Sequence, residues 1–209
     1  MRFAARLAFL FLLAGCLFAG TLGVQNPSFE APDIGVMFAW ATGSFVTGWQ
    51  TSGVYISQPQ SGDFTNLASQ QVITWGSIWQ DLSDPIAGGR MYVLTVLVGN
   101  RMGNDYGNTY SISLLAVNGG SSSTLGSISA SISTIPDATF APIQLTAFAP
   151  PGSDGQTLRI QLSSSGSQAS FDDVALALMP EPSTIALLAL GGGLLALLRR
   201  RRLVIPEPR

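Results

Sequence analysis

Residues 157–163 read TLRIQLS, and in an extended chain that order sends Leu158, Ile160 and Leu162 to one side and Arg159, Gln161 and Ser163 to the other. Residues 109–117, TYSISLLAV, repeat the device: Tyr110, Ile112 and Leu114 share a face, with Ser111 and Ser113 opposite. Apolar side chains at a period of two commit a segment to a strand with one buried face. Further candidate strands are FAWAT, VYIS, QQVITW, IWQDL, MYVLTVLVG, TLGSISAS, IQLTAFA and SFDDVALAL, separated by Gly, Ser, Asn, Asp and Pro. MYVLTVLVG is apolar on both sides, which suits a central strand. Loops such as NGGSSS and PPGSDGQ carry turn-forming residues. No stretch of the middle sustains a helical period. The expectation for residues 24–178 is an all-β antiparallel sandwich of jelly-roll type, large enough to bury a core without staples.

Charge narrows the chemistry. All ten basic residues are arginines, and there is no histidine. Residues 24–178 hold three arginines against ten acids, a net charge of −7. An acidic domain makes a poor partner for phosphate backbones, so no nucleic-acid partner is expected. Without histidine the commonest general base is missing, and the single cysteine, Cys16, lies in an apolar leader. Thiol proteases, disulfide frameworks and His/Cys zinc sites are thereby excluded. Calcium, bound through oxygens alone, stays open.

Both ends read as membrane-directed. Residues 1–23 place Arg2 and Arg6 before an apolar stretch at 7–14 and then small residues, the pattern of a signal peptide with a helical core. Within it, Leu13-Ala14-Gly15-Cys16 resembles a lipoprotein lipobox, which implies acylation of Cys16; chance occurrence in an apolar leader is the alternative. At the far end, residues 184–198 are an uninterrupted run of apolar, glycine and threonine residues. As a helix they cover about 22 Å, short of the roughly 30 Å hydrocarbon core. Snorkelling of Arg199, Arg200, Arg201 and Arg202 extends that reach and fixes this side in the cytoplasm. The expected topology is domain outside, with residues 203–209 as a cytoplasmic tail.

Pro180-Glu181-Pro182, a short apolar helix and an arginine cluster, in that order over residues 179–202, resemble the PEP-CTERM sorting signal. The resemblance implies an exosortase as partner, an inner-membrane precursor, and a mature product at the cell surface or outside, among exopolysaccharide in biofilm or floc. The second Pro-Glu-Pro at Pro206-Glu207-Pro208 departs from that pattern and has no physical account.

The middle resembles galactose-binding-like and carbohydrate-binding-module domains, from the opening VQNPSFEAP through TGWQTSG and IWQDL to the closing ASFDDVALA. That resemblance implies a structural calcium held by Glu30 and Asp172. By alternation Asp172 and Asp173 face opposite ways, so one of them shares the core side and needs a partner there. Capping of a turn, or hydrogen bonds to serines, is the alternative to a cation. Sugar rings stack on exposed aromatics, and Trp75, Trp79 and Tyr106 are the candidates; burial in the core is the competing fate, to which Trp49 is assigned. Asp63, Asp81, Asp84 and Asp105 show no pairing of the kind a glycosidase needs, and no nucleophile has a histidine beside it. The expectation is a non-catalytic exported protein that binds polysaccharide, with a glycosylated structural matrix protein as the alternative.

Overall fold

The computed structural model describes residues 20–36, 38–57, 70–103, 108–166 and 168–179. The leader with Cys16, the sorting segment from Pro180 to the arginines, and Tyr106 lie outside the described residues. Residues 20–178 form one unit whose strands are β1 (Gly20–Thr21), β2 (Phe38–Gly43), β3 (Gln50–Ser57), β4 (Gln71–Pro85), β5 (Met91–Asn100), β6 (Thr109–Asn118), β7 (Ser121–Ser131), β8 (Thr139–Phe148), β9 (Thr157–Ser165) and β10 (Ala169–Leu178). Every pairing is antiparallel.

The strands form two layers around one core. One layer runs β2-β3-β4-β10-β5-β8 and the other β7-β6-β9-β4-β3, with β3 and β4 shared between them. Period-two alternation supplies the core from both sides: Leu94, Val96 and Val98 from β5, Ile112 and Leu114 from β6, Leu158, Ile160 and Leu162 from β9. Where β7 approaches β8, Gly126 leaves no room for a side chain, since a Cβ there would lie 2.8 Å from that of Ala147. The all-β architecture agrees with the sequence expectation. Among the described residues no helix is long and apolar enough to cross a membrane.

QQVITW and IWQDL, expected as two strands, are one strand of 15 residues. Gly76 explains the difference. It is not a turn but the point at which β4 bends from one layer into the other, beside a matching irregularity at Gly53, whose φ is 68°. A Cβ on Gly76 would lie 2.0 Å from the Ser52 carbonyl oxygen, so only glycine lets the two backbones meet. Gly76→Ala is expected to destabilise the domain by at least about 1–3 kcal/mol. Urea unfolding should show a lower midpoint with an unchanged slope.

Candidate functional site: the two solvent faces of the sandwich

The outer face of the first layer carries two side-chain rows that its register defines. Phe38 pairs with Ser57 and Ser57 with Gln71; beyond the Phe171–Val72 pair, Asp172 follows in register beside Gln71, and Asp172 pairs with Leu97. In the second row, Trp40 leads through β3 to Ile73, Ser170, Gly99 and Phe140. These positions alternate with core residues Val72, Phe171 and Val98, so they point away from the core. Their centre is nevertheless closed to solvent: Gln71 and Asp172 are 0% exposed, Ile73 1% and Ser170 2%. Ile73 and Phe140 are buried yet stand outside the main core cluster. The far end of the Phe140 ring lies over Gly99, where a Cβ would meet Cζ at 2.5 Å.

A bulge in β10 places the carboxyl here. The register with β5 shifts between Asp172 and Ala175, and Asp173 has a φ of 44°. The extra residue is absorbed at Asp173, so Phe171 and Val174 both reach the core while Asp172 faces outward. The expectation that one of the two aspartates shares the core side is therefore corrected: neither does. Asp172 Oδ1 accepts the Asp173 N–H at 2.8 Å, and Asp173 Oδ1 accepts the Ser28 hydroxyl at 2.7 Å.

Glu30 and Asp172 have separate partners. Glu30 Oε1 accepts the Gln70 N–H at 2.8 Å. The loop around it is organised by the Gln70 side chain, whose Nε2 donates to the carbonyls of Phe29 (3.0 Å) and Pro32 (3.1 Å) while its Oε1 accepts the Ile34 N–H (2.9 Å). An amide thus draws in the backbone carbonyls that a cation would otherwise gather. Among the described residues no three Asp, Glu, His or Cys side chains form a candidate metal group. These donors do not form a cation cage.

Three tryptophans mark the solvent side. Trp40 is 63% exposed and meets Trp75 edge to face, centroids 5.0 Å apart. Trp75 and Trp79 share the outward side of β4, alternating with Thr74, Ile78 and Gln80. Trp79 stands four positions after Trp75, about 13 Å along an extended strand. Trp79 belongs to the second layer's face, with Arg159 stacked 5.8 Å from its ring centroid. Arg159 also forms a bidentate pair with Asp81 at 2.5 and 2.8 Å. That hydrogen bond, more than any other influence, raises the guanidinium pKa above its ordinary value. Asp81, for which the sequence offered no partner, is a cross-strand ion-pair partner of Arg159.

The rest of the second face is hydroxyl-rich. Ser129, Ser111, Ser163, Ser77 and Ser52 follow one another across five strands in register. Beside them Ser127 and Ser113 are hydrogen-bonded at 2.9 Å, and Thr109 bonds Ser165. The sandwich therefore has one hydroxyl-covered face and one with aromatic margins and a buried polar centre. The second is the candidate site. Sequence reasoning found Trp75 and Asp172, but missed Trp40 as an exposed ring and Gln71 altogether. The parity of QQVITW was the available signal, since Val72 and Thr74 facing inward send Gln71, Ile73 and Trp75 out.

Comparison with known proteins gives three results. Residues 180–202 match the PEP-CTERM protein-sorting motif, so the chain carries that signal. A cyclase from Fischerella sp. TAU has the same fold, with a TM-score of 0.62 at 22% identity over 78% of this chain and 98% of that one. The Stig cyclase Fisc from the same source, in complex with (3Z)-3-(1-methyl-2-pyrrolidinylidene)-3H-indole, gives 0.61 at 21% identity over 78% and 98%. A xylan-binding CBM22-1 domain from Paenibacillus barcinonensis is more distant, at 0.48 and 14% identity over 73% and 91%. No curated protein matches the chain by sequence. Residues 21–177 match the family described as HpiC1 cyclase, HpiC1-like, and the chain belongs to that family.

Proposed function

We propose that this is an exported, non-catalytic surface protein, released from the inner membrane by an exosortase and associated with exopolysaccharide in biofilm or floc. Residues 1–23 act as the signal peptide and residues 184–198 as a temporary span. The observation that carries the binding half is the Trp40–Trp75 pair. A tryptophan 63% exposed and braced by a second ring at 5.0 Å is a platform for stacking. Such a ring offers apolar area to the C–H face of a sugar, and a fixed geometry lowers the ordering cost on binding. Trp79 offers a second platform, already occupied on one side by Arg159.

Titration calorimetry of the mature chain against neutral and acidic polysaccharides tests this. Trp75→Ala or Trp40→Ala should weaken binding about tenfold or more, a loss of about 1.4 kcal/mol or more, while far-ultraviolet circular dichroism stays unchanged. Absence of binding to every polysaccharide would leave the structural matrix protein as the better account.

A specific observation favours a second reading, in which the domain is an enzyme. Among the described residues Asp172 is the one fully buried acid, it faces away from the core, and the family it belongs to is described as cyclases. A carboxyl in such a place is suited to proton donation. Turnover of an indole-bearing compound by the mature chain, abolished in Asp172→Asn, would decide for this reading.

A further inference from the structure

The centre of the first face is shut. Gln71 is 0% exposed and neither Nε2 nor Oε1 has a hydrogen-bond partner, so sugar contact on that face is confined to the margin at Trp40 and Trp75. The second face is open across its width. Ser127, Ser113, Gln161, Trp79 and Gln50 stand side by side on β7, β6, β9, β4 and β3, each in register with the next. At the usual strand spacing this row is about 19 Å long. Ser127 and Gln50 are exposed, and the three residues between them are half-buried.

Trp79 is the aromatic member of that row, and an amide flanks it on each neighbouring strand. Gln80, on the inward side of β4, spends its amide on Gln25 and Gly48. Gln161 and Gln50 instead face solvent, each with a donor group and an acceptor that suit adjacent hydroxyls. The next row fixes the ring. Arg159 is locked to Asp81 at 2.5 and 2.8 Å, and its guanidinium lies 5.8 Å from the Trp79 centroid. The pair leaves no net charge beside the ring. A held aromatic between two amides, on uncharged ground, fits a neutral sugar: the ring takes its C–H face and the amides its hydroxyls. Residues 24–178 carry a net charge of −7, which disfavours an acidic polymer.

Building on the polysaccharide reading, we propose that the domain is bivalent and cross-links neutral polysaccharide. One chain docks at Trp40 and Trp75 on the first face, and a second docks at Trp79 between Gln161 and Gln50. The core lies between the two sites, since Ala41 beside Trp40 and Ile78 beside Trp79 both point into it. An extended polymer lies along one face and does not fold round the sandwich, so two faces take two chains. A protein held by both is a junction in a matrix, and each contact raises the effective concentration of the other.

The test uses the mature chain and three neutral probes: soluble xylan, galactan and hydroxyethylcellulose. Each polymer is immobilised, the protein is captured on it, and fluorescent polymer of the same kind is then passed over. Wild type should retain the second polymer. Trp79→Ala should still be captured, through Trp40 and Trp75, but should retain about tenfold less, with far-ultraviolet circular dichroism unchanged. If Trp79→Ala does not fold, the double variant Gln50→Ala/Gln161→Ala keeps the ring and its Arg159 contact and carries the same readout. Retention at the wild-type level by Trp79→Ala, or by the double variant where it stands in, overturns this inference. Wild type that is captured yet retains no second polymer overturns it as well, and both results leave the polysaccharide reading intact. Failure of wild type to be captured by these probes or by any other polysaccharide overturns both.

Discussion

Trp49→Ala should cost about 3–5 kcal/mol of folding free energy, the range for deleting a fully buried large aromatic. Trp49 is 1% exposed and packs against Phe29, ring centroids 5.1 Å apart. Its Nε1–H is shared between the carbonyls of Gln25 (2.9 Å) and Asn26 (3.2 Å), so the ring also fastens the chain that enters the first layer. Alanine leaves a cavity and removes the donor from both carbonyls at once. A typical domain has only about 5–15 kcal/mol in total, so the variant should be partly unfolded near 37 °C. Trp49→Phe separates the two contributions: it keeps much of the packing and loses the N–H, for about 1–2 kcal/mol. Urea midpoints with an unchanged slope measure both. A loss below about 1 kcal/mol in Trp49→Ala would mean that Trp49 does not hold residues 25–34 in place.

The fold was legible because alternation is local. Ser111 and Ser113 against Ile112 and Leu114, or Arg159 and Gln161 against Leu158, Ile160 and Leu162, assign inside and outside with no knowledge of the partner strand. What alternation does not encode is where a strand passes between layers. Gly76 resembles a turn residue in the sequence, and only the approach of the Ser52 carbonyl shows that it is a bend within one strand. The short pairing of Gly20 and Thr21 with Leu178 and Ala177 likewise has no pattern of its own, since two residues cannot display a period.

The site was legible in part for the same reason. Trp75 and Trp79 take the outward side of β4 by parity, and Asp172 lies in a motif that resemblance singled out. The bulge at Asp173 breaks parity, and its cause is long-range: the Val174 N–H donates to the Pro27 carbonyl at 2.9 Å, drawing β10 toward the entry segment. Gln71 was missed because a glutamine in a strand is unremarkable until its burial and lack of partners are known. The calcium expectation came from resemblance and met a loop in which Gln70 already engages the carbonyls. Residues that look equivalent in the sequence, Gln70 and Gln71, thus differ entirely in role: one closes a loop and the other stands unpaired on a face.

Replacing Pro180, Glu181 and Pro182 together with alanine should give the largest functional effect, an all-or-none loss of processing. The matched sorting motif spans residues 180–202 and has three physically distinct parts. The apolar run at 184–198 covers about 22 Å as a helix, too short for a comfortable span of a roughly 30 Å core. It is better suited to brief residence than to permanent anchoring. On the proposed topology, Arg199, Arg200, Arg201 and Arg202 would keep its inner end in the cytoplasm and present the Pro-Glu-Pro segment at the opposite surface. Pro180 and Pro182 on either side of Glu181 remove two backbone donors and disfavour helix at the residue before each, so the expectation from sequence is a segment accessible to a peptidase. Alanines allow the helix to extend upstream and remove the acidic group. In a strain with the exosortase, the triple variant should accumulate at full length in the inner membrane, and mass spectrometry should find no mature chain outside. Substituting the four arginines by alanine should act differently, by loosening topology, so that uncut chain is found on both sides of the membrane. Processing of the triple variant at the wild-type rate would show that the cut does not depend on this tripeptide, and the sorting half of the proposed function would fall with it.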